Sequence, residues 1–223
     1  MRHRIKRFLK AVAELLWPSK CIFCQELLLH PDYDFCDRCA VSLPLHSRGE
    51  QTRHLSPFYR CVAPFSYEGR VRESLLRYKF SGSAHYAEIY ADFLTKCIDE
   101  NEISCDSITW VPLSRAHLRR RGYDQSRLLA EAVAKRKGLP CVPALVKLRN
   151  TKTQSSLRSA AERKKNVSHA YAVSDPEAVR GKHLLLIDDI ATSGNTLAEC
   201  GRTLLAAGAR QVSAATVAGS SKT

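Results

Sequence analysis

The chain has 223 residues, 44% of them hydrophobic, enough for one medium domain with a real core and a small additional module. No run approaches eighteen apolar residues, which excludes a membrane-spanning helix, and the N-terminus lacks the continuous apolar stretch and cleavage site of a secretory signal. Lys and Arg number 35 against 22 Asp and Glu, and the net charge of +13 points to a polyanionic partner, the alternative being a solvated basic surface. The expected location is the cytoplasm, where the nine cysteines are reduced or metal-bound rather than paired.

Residues 1–18 make the first unit. From Arg2 to Trp17, one helical face carries Ile5, Phe8, Leu9, Val12, Leu15 and Leu16, while Arg2, Arg4, Lys6, Arg7 and Lys10 cover the others. Pro18 helps stop this helix. Such a helix can lie on a membrane or a nucleic acid, but docking on its own protein is the favoured expectation. Residues 19–45 hold Cys21-x₂-Cys24 and Cys36-x₂-Cys39, eleven residues apart. Two such pairs can place four thiolates tetrahedrally around Zn²⁺, with no open position for a catalytic water. The metal is therefore expected to be structural, because so short a module buries too little to fold unaided. Thiol redox chemistry is the alternative.

Pro44–Pro57 suggests a linker, and residues 58–223 the main domain. A helical turn holds Val71, Leu75 and Leu76. It runs into Arg77-Tyr78-Lys79-Phe80, where aromatics interleave with cations, as on a base-stacking surface or at an ordinary snorkelling helix end. Ser83–Asn101 is an amphipathic helix, and Ser107–Val111 a short strand ending at Pro112. The following stretch, with Arg115, His117, Arg119, Arg120 and Arg121, is expected as a loop at the carboxyl edge of a parallel sheet, where arginine forks suit pyrophosphate. Ser126–Lys137 is a helix and Ala144–Leu148 a strand. Residues Arg149–Val167, including Lys152, Arg158, Arg163, Lys164 and Lys165, form a long basic connection: a cationic lid or a plain flexible loop. Ala170–Val173 is strand-like.

The next stretch, Leu184-Leu-Leu-Ile-Asp188-Asp189-Ile-Ala191-Thr192-Ser193-Gly194-Asn195-Thr196-Leu197, is an apolar strand ending in two carboxylates, then a hydroxyl-rich loop entering a helix. Leu197, Cys200, Leu204 and Leu205 share a face of that helix, Gly208 can close it, and Gln211–Ala218 is the next strand, completing a βαβ unit. Backbone N–H groups converge where the loop enters the helix, and the helix dipole also favours an anion there. Two acids beside a phosphate cradle need another task, such as accepting hydrogen bonds from sugar hydroxyls or holding Mg²⁺ through water. Phosphate and diol together describe ribose 5-phosphate. The alternative is a buried strand whose acids merely cap the helix. The stretch resembles the phosphoribosyl-pyrophosphate (PRPP) motif of type I phosphoribosyltransferases.

The double Cys-x₂-Cys, Tyr78-Lys79-Phe80-x-Gly82, Arg121-Gly122-Tyr123-Asp124-Gln125 and the PRPP motif together resemble, in order and spacing, the ComF family of competence and DNA-utilisation proteins. The resemblance implies an α/β fold: a type I phosphoribosyltransferase-like parallel sheet flanked by helices, with a small N-terminal four-cysteine zinc module. It also implies cytoplasmic handling of imported single-stranded DNA, with other competence or DNA-uptake proteins as partners. Ser193 stands where the family commonly has threonine, and the hydroxyl is kept. Asp124 stands where it commonly has asparagine, which argues against a direct pyrophosphate contact.

Two functions follow. In one, ribose 5-phosphate passes from PRPP, bound with Mg²⁺, to an acceptor. Asp188 and Asp189 then orient the ribose and favour positive charge at the anomeric carbon, Ala191–Thr196 hold the phosphate, and Arg120 and Arg121 stabilise the leaving pyrophosphate. In the other, the pocket is a sensor or relic in a protein that binds single-stranded DNA through Tyr78, Lys79, Phe80, Arg119, Lys152 and Arg163. No base-recognition signature stands beside the pocket, which favours the second.

Overall fold

The computed structural model describes residues 18–30, 32–47, 52–148 and 168–220. The expected N-terminal helix and the basic connection with Lys152 and Arg163 lie outside them. In chain order the elements are helix α1 (Asp37–Ser42), strands β1 (Cys61–Val62) and β2 (Phe65–Ser66), helices α2 (Gly69–Phe80) and α3 (Tyr86–Glu100), and strand β3 (Ser107–Trp110). Helices α4 (Arg115–Arg121) and α5 (Gln125–Lys137) follow, then strands β4 (Leu145–Lys147), β5 (Tyr171–Val173) and β6 (His183–Ala191), helix α6 (Asn195–Ala206) and strand β7 (Gln211–Gly219).

Five strands form one parallel sheet, in the order β1-β7-β6-β3, with β2 also pairing β7. Leu184 to Ile187 lie inside it and are fully buried, as a strand covered on both faces requires. Their side chains alternate between two cores. Leu185 and Ile187 pack with α3 and α5 through Leu94, Ile98, Leu129 and Val133. Leu184 and Leu186 pack with α6 through Leu197, Cys200 and Leu204. Because every strand runs the same way, β3 and β6 deliver the segments that follow them to one edge.

One expectation changes. The Arg-rich stretch is not a loop but the seven-residue helix α4. It buries nothing, so no apolar period announces it; its ends define it instead. Ser114 accepts from the His117 amide, Gly122 takes the left-handed conformation at φ +83°, and three arginines occupy the last turn, where cations suit the carbonyl end. The strand expected at 144–148 pairs antiparallel with β5 in a separate two-stranded ribbon.

The four-cysteine segment is continuous with the main core. Phe23 is fully buried among Phe35, Phe65, Tyr90 and Phe93. Ser74 Oγ donates to the Ile22 carbonyl at 2.6 Å, and Arg77 Nη2 donates to those of Ile22 and Phe23 at 2.8 and 2.7 Å. The expected linker is also pinned: Leu45 bridges Phe65, and Thr52 bridges Val62.

Candidate functional site

A cavity of about 450 Å³ opens at the carboxyl end of β6. Strand β6 runs through its own acids to Ala191, so Asp188 and Asp189 are held by sheet pairing, Asp188 opposite Thr216. Asp188 Oδ1 accepts from Ser126 Oγ at 2.7 Å and from the Asp189 amide at 2.9 Å. Burial, and then the Asp189 charge, push its carboxyl up to about 7, although the Ser126 hydroxyl and the Lys79 ammonium pull the other way. Asp189 is buried and lies 2.9 Å from Lys79 Nζ.

Beyond the acids, Ala191, Thr192, Gly194, Asn195 and Thr196 line the cavity; Ser193 does not. Helix α6 starts at Asn195, and its N-cap is Gly194, which has no side chain to offer the first-turn amides. Those amides and the helix dipole suit an anion. The need for glycine comes from the fold: φ is +68°, and an added Cβ would sit 2.7 Å from both Leu55 methyl carbons. The space that must stay open is therefore Leu55's, whereas the sequence suggests room for a ligand.

The opposite wall is one face of α2. Arg72, Leu76, Lys79 and Phe80 line the cavity, spaced as a helical stripe, together with Arg121 from the end of α4. Arg121 lies over the Phe80 ring at 4.9 Å and donates to Gln125 Oε1 at 2.9 Å; burial draws its pKa down. The Arg121–Gln125 motif clamps the end of this wall. Tyr123 OH donates to the Tyr78 carbonyl, and Gln125 Nε2 to that of Lys79 at 3.2 Å. These are carbonyls of the last helical turn, which have no partner within the helix. Asp124 caps α5 through the Arg127 amide and accepts from the Leu113 amide, each at 3.1 Å, and lies outside the cavity lining.

The residues expected to face nucleic acid separate. Tyr78 is 0% exposed; its hydroxyl donates to the Gln125 carbonyl at 2.7 Å and its ring packs on Tyr90 and Tyr123. It cannot stack on a base, which corrects that expectation. Lys79 belongs to the cavity through Asp189. Phe80 is 60% exposed at the rim. Arg119 and Arg120 are exposed on α4, and Arg120 does not line the cavity, contrary to its expected place beside pyrophosphate. Sequence reasoning missed Arg72, Tyr67 and Ser126; only Arg72 had a signal, two helical turns before Lys79 on the same face.

The four sulfurs of Cys21, Cys24, Cys36 and Cys39 lie within 4.8 Å of one another, with Cys24 and Cys36 at 3.6 Å. Tetrahedral zinc with bonds of about 2.3 Å spaces its sulfurs by about 3.8 Å, so the set fits a closed structural site. Hydrogen bonds from the amides of Cys24, Cys36 and Phe23 outweigh burial at Cys21 and bring its pKa to about 7, whereas burial pushes the Cys24 and Cys39 thiols up, so without a cation only one of the crowded thiols ionises readily. Among the described residues, no helix is long and apolar enough to cross a membrane.

Residues 124–223 match the family described as phosphoribosyl transferase domain. The chain is 38% identical over 192 residues to the DNA utilization protein YhgH of Escherichia coli K12, covering 81% of this chain and 82% of that protein. It is 32% identical over 203 residues to its namesake in Salmonella typhimurium LT2, covering 87% and 81%. It is 30% identical over 145 residues to competence protein ComFC of Bacillus subtilis 168, which is 65% of this chain and 57% of that one.

Proposed function

This chain belongs to the ComF family of competence and DNA-utilisation proteins, and we propose that it binds PRPP or ribose 5-phosphate at the end of β6 and acts in the cytoplasmic handling of imported single-stranded DNA. One arrangement carries the ligand assignment: two strand-held carboxylates, Asp188 and Asp189, lie between the anion-suited entry of α6 and the cationic face of α2 around a single cavity. Thr192, Gly194, Asn195 and Thr196 take the 5-phosphate, the acids take the ribose hydroxyls, and Lys79, Arg72 and Arg121 face a second anionic group such as the pyrophosphate. Mg²⁺ entering with PRPP would be held near Asp188 and Asp189 and would offset the charge of the diphosphate. The four cysteines hold structural zinc. Single-stranded DNA meets the exposed cations of α4 and the rim residue Phe80, and other competence or DNA-uptake proteins act with it.

A second reading, transfer of ribose 5-phosphate from PRPP to a nucleobase or related acceptor, is favoured by one observation. Asp188 lines the cavity beside Asp189 and accepts from Ser126 at 2.7 Å, and burial with the Asp189 charge raises its carboxyl toward the range of a general acid or base. Calorimetry with PRPP and Mg²⁺, run with and without a single-stranded oligonucleotide, tests the first reading; release of pyrophosphate on adding candidate acceptors tests the second. Absence of PRPP binding under all conditions would overturn both.

A further inference from the structure

The four-cysteine segment carries an apolar groove that no other described segment lines. Ten large hydrophobic side chains are exposed among the described residues, and Leu27, Leu29, Tyr33, Val41 and Leu45 of this short segment are five of them. Leu29 is 96% exposed. A groove of about 390 Å³ runs between Leu27, Leu29, Tyr33 and Phe35, with Asp37 and the ion pair of Glu26 and Arg38 at its edge. Clustered apolar exposure of this kind marks a contact surface.

We propose that the groove seats the chain's own residues 1–17. Three observations select this occupant. The first is connectivity: residues 1–17 join the described chain at Pro18, beside Ser19, whose carbonyl accepts from Leu28, and Lys20, which bridges Leu27. The segment therefore starts at the groove with no linker, and the effective concentration for docking is high. The second is pattern: Ile5, Phe8, Leu9, Val12, Leu15 and Leu16 recur at helical spacing, so a helix of about 25 Å would present them as one apolar stripe. The third is charge. In a chain of net charge +13, residues 19–45 carry four carboxylates, Glu26, Asp32, Asp34 and Asp37, against two cations, Lys20 and Arg38. Residues 1–17 carry five Lys and Arg against one acid, Glu14. An apolar stripe flanked by cations thus meets an apolar groove in a segment of net negative charge.

The test uses the full chain purified with zinc. p-Benzoylphenylalanine in place of Leu29 is photolysed in the presence of an isotopically labelled copy, and the adducts are mapped by mass spectrometry. The expected adducts join position 29 to residues between Ile5 and Leu16 of the same chain. Adducts between labelled and unlabelled chains give the groove to a second copy, and adducts with none of residues 1–17 reject the segment; either result overturns the proposal. Trypsin supplies an independent measure through Arg4, Lys6, Arg7 and Lys10. Wild type should be cut about tenfold more slowly there than Leu9→Asp or Leu29→Asp, the weight of one buried leucine. Equal rates in all three overturn the proposal. So does protection that appears only on adding anionic phospholipid vesicles or a single-stranded oligonucleotide. Zinc content controls for folding, and Leu9→Asp, outside the cysteine segment, keeps the test open if Leu29→Asp loses metal.

Discussion

Lys79 Nζ lies 2.9 Å from Asp189 Oδ1, with the lysine side chain 20% and the aspartate side chain 9% exposed. This contact joins the end of α2 to the end of β6, across the space where a sugar phosphate is proposed to sit. Lys79 is held from behind, because its own carbonyl accepts from Gln125. Removing the ammonium leaves a buried carboxylate without its cation. Lys79→Met should therefore destabilise the fold by about 1–3 kcal/mol, and adding Asp189→Asn should recover much of the loss. Urea unfolding of the two single variants and the double variant closes the cycle. Additive effects would show that the pair does not couple.

Asp188 predicts a pH dependence. Its carboxyl is raised from 3.8 to about 7, so between these values the folded chain keeps a proton that the unfolded chain has lost. Its contribution to stability is thus lost as pH rises through that window. Asp188→Asn removes the titration, and the variant should gain on wild type as pH is taken from about 5 to about 8. Urea midpoints measured across that range check this; a difference independent of pH would contradict it.

At Gly194 two costs can be separated. Alanine there pays for the left-handed backbone, about 1–2 kcal/mol, and also brings its Cβ to 2.7 Å from the Leu55 methyl carbons unless Leu55 moves. Gly194→Ala should lower the thermal midpoint. Leu55→Ala in that background should cost less than Leu55→Ala in wild type, because it relieves the overlap while the backbone cost remains. Equal costs of Leu55→Ala in the two backgrounds would show that Leu55 yields freely.

Zinc should be felt beyond the cysteines. Arg77 holds the carbonyls of Ile22 and Phe23 and sits two residues before Lys79 on α2. The purified chain should contain one zinc, and Cys36→Ser should release it, expose Phe23 and loosen the cationic wall. Elemental analysis, unfolding and PRPP titration of wild type and variant together check this. A metal-free protein purified under reducing conditions, equally stable, would show that the cysteines serve another purpose.

The sequence was most legible where periodicity and chemistry coincide. Leu184–Ile187 followed by two acids and Gly194 announces both the central strand and the cavity floor, because a buried parallel strand is apolar on both sides. Helix α4 was illegible because it buries nothing and is defined by its ends, Ser114, Gly122 and the arginines of its last turn. The roles of Tyr78 and Phe80 could not be separated from sequence. They are adjacent in kind and spacing, and only the packing of Tyr90 and Tyr123 decides which ring is inside. Leu55 was hidden in an expected linker; its contact with Gly194 is long-range and leaves no local pattern.

That separation sharpens the expectation for single-stranded DNA. Phe80 stands at the rim with Arg121 over one face of its ring, so a base can stack only on its free surface. Phe80→Ala should weaken binding by roughly 1–3 kcal/mol, with little sequence preference and little change in salt dependence. Tyr78→Phe removes only the buried bond to the Gln125 carbonyl and should leave DNA affinity unchanged at matched stability. Arg119→Ala with Arg120→Ala removes exposed charge. It should lower affinity and flatten the salt slope by roughly 0.7 for each phosphate the arginines no longer neutralise, the single-strand value. Fluorescence anisotropy across a salt series distinguishes these outcomes. Binding that survives Phe80→Ala but follows the arginines would make the surface purely electrostatic. Loss with Tyr78→Phe alone, the fold intact, would mean that the end of α2 rearranges to present its buried ring.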